Sequence, residues 1–283
     1  MTKSHKLHRV GVVVNPTIAR AREVAGYVEA MLGAAGVETL EYSDLPAPGE
    51  GQMDGGLDMV FAFGGDGTIL RAVRITAPLR IPLVGINLGR VGFLSEINPE
   101  TIEAQLAEIL AGKYWLENRS MLHAELWREG EQLRSFDALN DVVASRASLS
   151  RVVDCTLVVN GQRVTTFVAD GVIVATPTGS TAYSMAAGGP ILHPELRCIV
   201  VTPIAPYLTI IRSLILPDDS QLELDITTDD VAYLTVDGQQ HVQLEDGDAL
   251  RITTSPTPAL FARLQPRSYF AATLTQRLQR KAG

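Results

Sequence analysis

The chain has 283 residues, room for about two domains at roughly 150 residues each. With 46% hydrophobic and 20% charged residues, it is neither disordered nor collagen-like. Lys and Arg total 24 against 32 Asp and Glu, a net charge of −8, and no basic run breaks the acidity, so nucleic acid is excluded as a partner. The two cysteines, Cys155 and Cys198, lie apart from each other and from any His at ligand spacing. A disulfide scaffold and a zinc site are thereby excluded, and a reducing compartment fits.

Met1–Arg9 is polar and basic, and the apolar run Val10–Val14 behind it is too short for a signal-peptide core. The most membrane-like window, Ile199–Leu216, is interrupted by Pro203, Pro206 and Arg212, so it reads as two buried strands joined by a loop. The expectation is a cytoplasmic protein with no membrane partner.

The first half alternates strands and helices. Val10–Val14 is a β-branched run typical of a strand covered on both faces, and Asn15-Pro16 ends it. Val24, Val28, Leu32 and Ala35 recur at helical spacing, with Gly36 as the stop. Val37–Tyr42 reads as a short strand, followed by a Pro/Gly/Asp-rich loop from Ser43 to Gly56. Asp58–Phe63 is another strand; it enters Gly64-Gly65-Asp66-Gly67-Thr68 and a helix running through Ile75. Ile81–Ile86 is again a strand. Asn98-Pro99-Glu100 starts a helix with Asn98 as N-cap, its buried stripe being Ile102, Leu106, Ile109 and Leu110 and its end Gly112. This order predicts an α/β domain with a parallel sheet.

From about Arg119 the pattern turns to short strands. Leu122–Trp127 and Gln132–Phe136 form a hairpin about Glu129-Gly130. Cys155–Val159 and Gln162–Phe167 form another about Asn160-Gly161, a pair suited to a type I′ turn. Later runs (Leu222–Ile226, Ala232–Val236, Val242–Leu244, Leu250–Thr253, Leu260–Leu264) are punctuated by Asp237-Gly238 and Asp246-Gly247. The expected architecture is residues 1–118 as the α/β domain and 119–264 as a mostly-β, sandwich-like domain. A C-terminal helix within 265–283, with Phe270, Leu274 and Leu278 on one face and Arg277, Arg280 and Lys281 in its last turn, returns to the first domain.

Three segments carry chemistry. The glycine loop follows a strand and opens a helix, so successive N–H groups of Gly64, Gly65, Gly67 and Thr68 can face one anion at the positive end of the helix dipole. It matches neither the Walker A nor the dinucleotide fingerprint. Asp66 inside an anion cradle is the unusual feature: it serves as a base, helps hold a metal, grips sugar hydroxyls, or simply caps the helix. The second segment, Asp170–Pro190, runs from a strand into Thr176-Pro177-Thr178-Gly179-Ser180-Thr181 and a short helix over Ala182–Ala187. Its small, hydroxyl-rich side chains suit a flat polar ligand such as a nucleotide, although a plain Ser/Thr loop has the same composition. The third is Asn140-Asp141 in the otherwise apolar Ala138–Val143, which reads as a binding pair or a turn. The five histidines are scattered, and no H-E-x-x-H or G-x-S-x-G motif occurs.

Together with Val12–Pro16, Asn87–Leu94 and Leu216–Ser220, these segments make the chain resemble the NAD kinases, in one order from about Val10 to Phe270. The resemblance implies phosphoryl transfer from ATP or polyphosphate, with Mg²⁺ held mainly by the donor phosphates, to the 2′-hydroxyl of the adenosine ribose of NAD. It implies that Asp66 is the catalytic base with Gly67 beside the ligand, and that Asn140 and Asp141 bind the nucleoside. Thr181, Ala182, Tyr183, Ser184, Met185 and Ala186 would line the same pocket, and Arg71, Arg151, Ala205 and Gln239 stand at positions of NAD contact. Asp170 matches a carboxylate that reaches the nicotinamide end from a neighbouring subunit of a homo-oligomer. The chain departs from many relatives at Val168, where they carry a basic residue, and at Tyr207, where they carry a histidine. Two other functions share some of these features: a lipid or sugar-phosphate kinase of the same loop class, disfavoured because Gly85–Gly89 lacks its Pro-x-Gly-Thr-x-Asn-Asp element, and a non-catalytic NAD-binding regulator.

Overall fold

The computed structural model describes residues 6–42, 53, 55–88, 92–147, 152–207 and 211–279. In chain order the elements are β1 (Arg9–Val14), α1 (Ala19–Ala34), β2 (Glu38–Tyr42), β3 (Met59–Gly64), α2 (Asp66–Thr76), β4 (Leu83–Asn87), α3 (Ile102–Leu110) and β5 (Trp115–Arg119). Then come β6 (Leu122–Arg128), β7 (Glu131–Ala138), β8 (Asp141–Arg146), β9 (Val153–Val159), β10 (Gln162–Ala169), β11 (Gly171–Ala175), α4 (Tyr183–Ala186) and β12 (Cys198–Ile204). The chain closes with β13 (Leu214–Pro217), β14 (Leu222–Thr227), β15 (Ala232–Val236), β16 (Gln240–Leu244), β17 (Ala249–Thr254), β18 (Ala259–Arg263) and α5 (Tyr269–Gln279).

These elements divide into two units, 1–118 with 259–283 and 119–258. The first holds a sheet in the order β2-β1-β3-β4-β18-β5, parallel from β2 through β18. Its strands alternate faces. Val10, Val12, Val14, Phe61, Phe63, Val84 and Ile86 pack with Ala25, Val28 and Leu32 of α1 and Ile102, Leu106 and Ile109 of α3. Burial on both faces accounts for the continuous apolar runs that mark these strands in the sequence. α1 and α3 stop before Gly36 and Gly112, whose φ of +78° and +70° is the left-handed geometry that ends a helix.

The second unit is a sandwich of two sheets, β10-β9-β14-β17-β6-β7 and β13-β12-β11-β8-β15-β16. One core joins their inner faces: Leu126, Leu157, Phe167, Leu224, Leu250 and Ile252 from one sheet, Val142, Val172, Val174, Val201, Leu234 and Val236 from the other. Glu129-Gly130 and Asn160-Gly161 have φ of +51° and +82°, and +51° and +77°, as two-residue type I′ hairpins require. The outer face of the second sheet carries a smaller core of Val143, Ile173, Ala175 and Val200, covered by Leu192. The segment following β11 therefore lies over this face.

Several expectations are corrected. Residues 259–264, assigned to the β-rich domain on their strand pattern, include β18, which pairs with β4 in parallel and so belongs to the first unit. Asn98 makes no side-chain cap bond; Pro99–Thr101 form a 3-10 turn and α3 begins only at Ile102. Of the two strands in 199–216, β12 is buried but β13 is an edge strand with Ile215 54% exposed. Most of the Ser43–Gly56 loop, and Arg280 and Lys281, lie outside the described residues. No helix among the described residues is long and apolar enough to cross a membrane.

Phe261 is fully buried on β18. Phe261→Ala is expected to cost about 3–5 kcal/mol, read by urea unfolding. A loss below about 1 kcal/mol would mean that β18 adds little to the first sheet.

Candidate functional site

In the first unit, β3 delivers the chain to Gly64 and α2 begins at Asp66, with Gly65 as its N-cap residue. Gly65 and Gly67 are exposed and Asp66 is half-buried, so the loop turns its backbone outward at the positive end of the helix. The N-cap position belongs to Gly65, which has no side chain to cap with, and Asp66 stands one position inside the helix. Its carboxylate instead accepts the backbone N–H of Phe93 at 3.2 Å and of Leu94 at 3.4 Å. Gly92 allows this approach, because a Cβ there would stand 2.0 Å from Asp66 Oδ1. The helix-cap reading of Asp66 is thus set aside: the carboxylate is aimed and held by a segment 27 and 28 residues further along the chain.

Thr68, expected among the donor-phosphate contacts, is only 2% exposed. Its hydroxyl accepts from Asn15 Nδ2 at 3.1 Å, and Asn15 Oδ1 in turn accepts the Thr17 backbone N–H at 3.0 Å. Thr68 therefore braces the glycine loop against the end of β1. Gly65 is different, since its φ is −88° and a Cβ there would meet nothing within 4 Å among the described residues. Neither backbone nor packing demands glycine at 65, which leaves close approach by a ligand as the reason for the small residue. Arg71, one turn into α2, is half-buried, and its buried Nε has no partner among the described residues, a cost that an anionic ligand would offset.

In the second unit, Asn140 and Asp141 sit where β8 begins, beside the segment that follows β11. Thr176 Oγ1 donates to the Leu139 carbonyl at 2.6 Å, and the Thr176 N–H donates to the Asn140 carbonyl at 2.9 Å. Gly179 lies against that same carbonyl, where a Cβ would come within 2.0 Å. Asp237, read from sequence only as part of a turn, organises this corner. Its carboxylate accepts the backbone N–H groups of Leu139, Asn140 and Asp141 at 3.0, 2.7 and 3.2 Å. Gln239 follows it on the same loop, half-buried, its N–H donating to the Val236 carbonyl at 3.0 Å.

Asp141 is 4% exposed. Burial, together with the neighbouring Asp237 carboxylate, pushes its carboxyl up to about 7, against a bond from the Tyr183 backbone N–H that favours the charged form. A buried carboxyl held against its ordinary ionisation destabilises the fold at neutral pH, and such groups cluster at functional sites.

The hydroxyls of Ser180, Thr181 and Ser184 are engaged within the protein. Ser180 Oγ donates to the Pro177 carbonyl at 2.6 Å and accepts from Leu192 N–H at 2.9 Å, and Thr181 Oγ1 donates to the Thr178 carbonyl at 3.1 Å. Ser184 pairs with Thr202 at 3.2 Å and is fully buried. These groups hold the loop on the sheet. Tyr183, 46% exposed, and Ala186 face outward, with Ala182 and Met185 half-buried beside them.

At the far end of β11, Asp170 is gripped by Arg146 of β8, Nε to Oδ1 at 2.6 Å and Nη2 to Oδ2 at 2.9 Å. This two-pronged pair supplies a cation where Val168 supplies none, and Arg146 was not singled out from the sequence. Ala205, exposed with φ of +43°, and Tyr207, 67% exposed, follow β12 nearby; the Tyr207 N–H donates to the Val168 carbonyl at 2.7 Å. Arg151 lies outside the described residues. Among the described residues there is no group of three or more His, Cys, Asp or Glu that could hold a metal ion.

Known proteins resemble this chain over most of its length. Residues 27–114 match the family model of the ATP-NAD kinase N-terminal domain, and residues 139–264 that of the ATP-NAD kinase C-terminal domain. The NAD kinase of Chloroflexus aggregans is 38% identical over 279 residues, 97% of this chain and 99% of that one. The NAD kinase of Carboxydothermus hydrogenoformans is 44% identical over 215 residues, 76% and 77% of the two chains. Among solved structures, the Archaeoglobus fulgidus NAD kinase in complex with ATP superposes with a TM-score of 0.76 at 28% identity, covering 95% of this chain and 98% of that one. Yeast NADH kinase complexed with NADH shares the fold at a TM-score of 0.86 and 24% identity, over 97% of this chain and 88% of that one.

Asp141 also sets a pH dependence. The unfolded carboxyl ionises near 3.8 while the folded one keeps its proton to about 7. The folded state therefore binds more protons between those values, and stability is full below 3.8 and falls as pH rises through about 7. Asp141→Asn is expected to flatten this slope and to be the more stable protein at about pH 8, measured by denaturant titration across pH. An unchanged slope would place the titration elsewhere.

Proposed function

Because the chain belongs to the NAD kinase family, we propose that it transfers a phosphoryl group from ATP or polyphosphate to the 2′-hydroxyl of the adenosine ribose of NAD, making NADP. The observation that carries this reading is the Asp66 carboxylate, aimed by two backbone N–H groups at the mouth of the glycine loop. A lone turn aspartate needs no such aiming; a proton acceptor does.

Phosphoryl transfer asks the protein for position and charge neutralisation more than for covalent chemistry. The backbone at Gly64, Gly65 and Gly67, with the positive end of α2, holds the donor phosphates, and Arg71 offers them the guanidinium whose Nε has no partner among the described residues. Mg²⁺, when bound with the donor, neutralises phosphate charge. Asn140, Asp141, Thr181, Ala182, Tyr183, Ser184, Met185, Ala186, Ala205 and Gln239 make up the NAD-holding set, with the inward-facing Thr181 and Ser184 acting by keeping the outward ones in place. Asp66 takes the hydroxyl proton as the new P–O bond forms, since a carboxylate is too weak a base to remove it beforehand. The same reading makes the protein a cytoplasmic homo-oligomer in which Asp170, oriented by Arg146, meets the nicotinamide end of NAD on a neighbouring copy. Its free cysteines suit a reducing compartment, Cys155 being buried with its thiol pushed up to about 12 by burial.

Incubation with NAD, Mg²⁺ and either ATP or polyphosphate is expected to yield NADP; binding of NAD without product would support the regulator instead. Asp66→Asn is expected to lower kcat by about 10²–10⁴-fold while NAD still binds. Retention of a tenth of wild-type kcat, a loss of about 1.4 kcal/mol, would argue against the base. Gly65→Ala tests the cradle separately: the melting temperature is expected to stay unchanged while KM for the donor rises about tenfold, since the added methyl meets no atom of the described residues. An unchanged donor KM would move the phosphates off this loop.

A further inference from the structure

Behind the residues that donate to Asp66 lies a buried ion cluster. Arg263 at the end of β18 donates from Nε to Glu117 Oε2 at 2.7 Å, and from Nη1 to the Leu94 carbonyl at 2.9 Å and Glu96 Oε2 at 3.1 Å. Glu96 Oε1 accepts the backbone N–H groups of Leu264 and Gln265, each at 2.8 Å. The side chains are nearly dry, Arg263 8%, Glu96 3% and Glu117 6% exposed. The backbone N–H groups of Glu96 and Ile97 donate to the Gly85 carbonyl at 2.8 and 3.1 Å, which fixes the far end of the segment on β4. Leu94 is therefore held at both ends, its carbonyl by the Arg263 guanidinium and its N–H by the Asp66 carboxylate.

Stability alone does not call for this arrangement. Desolvating one cation and two anions offsets most of their attraction, and apolar packing of similar volume is often as stable. What apolar packing cannot supply is a directional grip on a carbonyl, which the planar guanidinium fork does. We propose that Arg263 is a positioning residue for the reaction: it fixes the Leu94 peptide and, through that peptide's neighbour, the orientation of the Asp66 carboxylate. This inference rests on Asp66 being the base. Displacing a reacting group by about 1 Å costs on the order of a hundredfold in rate, so the effect falls on kcat rather than on binding.

Arg263→Lys keeps the charge and loses the fork. It is expected to lower kcat about 10- to 100-fold with KM for NAD and for the donor within about twofold. Glu117→Gln is the control: it weakens the opposite arm of the guanidinium, leaves the Leu94 bond in place, and is expected to lower the melting temperature while keeping kcat within about twofold. If Arg263→Lys does not fold, Glu96→Gln carries the same test. It retains an oxygen for the Leu264 and Gln265 amides, and its kcat is expected to fall at least about threefold with both KM values unchanged. The positioning role is overturned if the folded Arg263 or Glu96 variant keeps full kcat, or if Glu117→Gln loses kcat as steeply as the variant it controls. A wild type that makes no NADP overturns the kinase reading and this inference together, whereas an active wild type with an unimpaired variant overturns this inference alone.

Discussion

The first unit is arranged about one carboxylate and the two amides that face it. Asp66 stands in the first turn of α2, where the helix dipole favours an anion, and the Phe93 and Leu94 N–H groups add charge-assisted bonds from across the sheet. Those bonds require Gly92 to have no side chain, and they require the 92–97 segment to be pinned by β4. They also require the glycine loop to stay seated, which the Asn15–Thr68 bond secures from β1. A loop rich in glycine has a large conformational entropy to lose. Here it loses that entropy to contacts from the end of β1 and from a return segment pinned on β4, so the fold itself sets the carboxylate's orientation.

The second unit solves a different problem with the same means. Asp237 gathers three consecutive amides at the start of β8, leaving Asp141 buried next to a second carboxylate. The hydroxyls of Thr176, Ser180 and Ser184 secure the overlying segment to the sheet, and their burial frees the outward surface to be small and apolar around Tyr183. Burial of Asp141 beside that second carboxylate costs stability at neutral pH, and perturbed carboxyls of this kind cluster at functional sites.

Much of this was legible in the sequence because its causes are local. The β-branched run at Val10–Val14, the glycine stops at 36 and 112, and the Asn160-Gly161 turn each follow from backbone preferences within a few residues. The Gly64–Thr68 loop and the Asn140-Asp141 pair stood out for the same reason. What was missed depends on partners far away in the chain. Asp237 looks like turn punctuation until its carboxylate is seen on amides 96 to 98 residues earlier, and Arg146 is an ordinary strand residue until it meets Asp170. At 176–184 composition reports hydroxyl donors without reporting which way they point, and their bonds to the Pro177 and Thr178 carbonyls and to Thr202 become visible only in the fold. β18 was placed in the wrong unit because a short apolar strand carries no mark of the sheet it joins.

The central claim is tested most directly by a crystal structure of the protein with NAD bound. The account predicts an Asp66 carboxylate oxygen within about 2.6–3.2 Å of the 2′-oxygen of the adenosine ribose while the carboxylate keeps its bonds to the Phe93 and Leu94 amides. A dinucleotide whose adenosine ribose lies out of reach of that carboxylate, or a carboxylate that has swung off both amides, would contradict it.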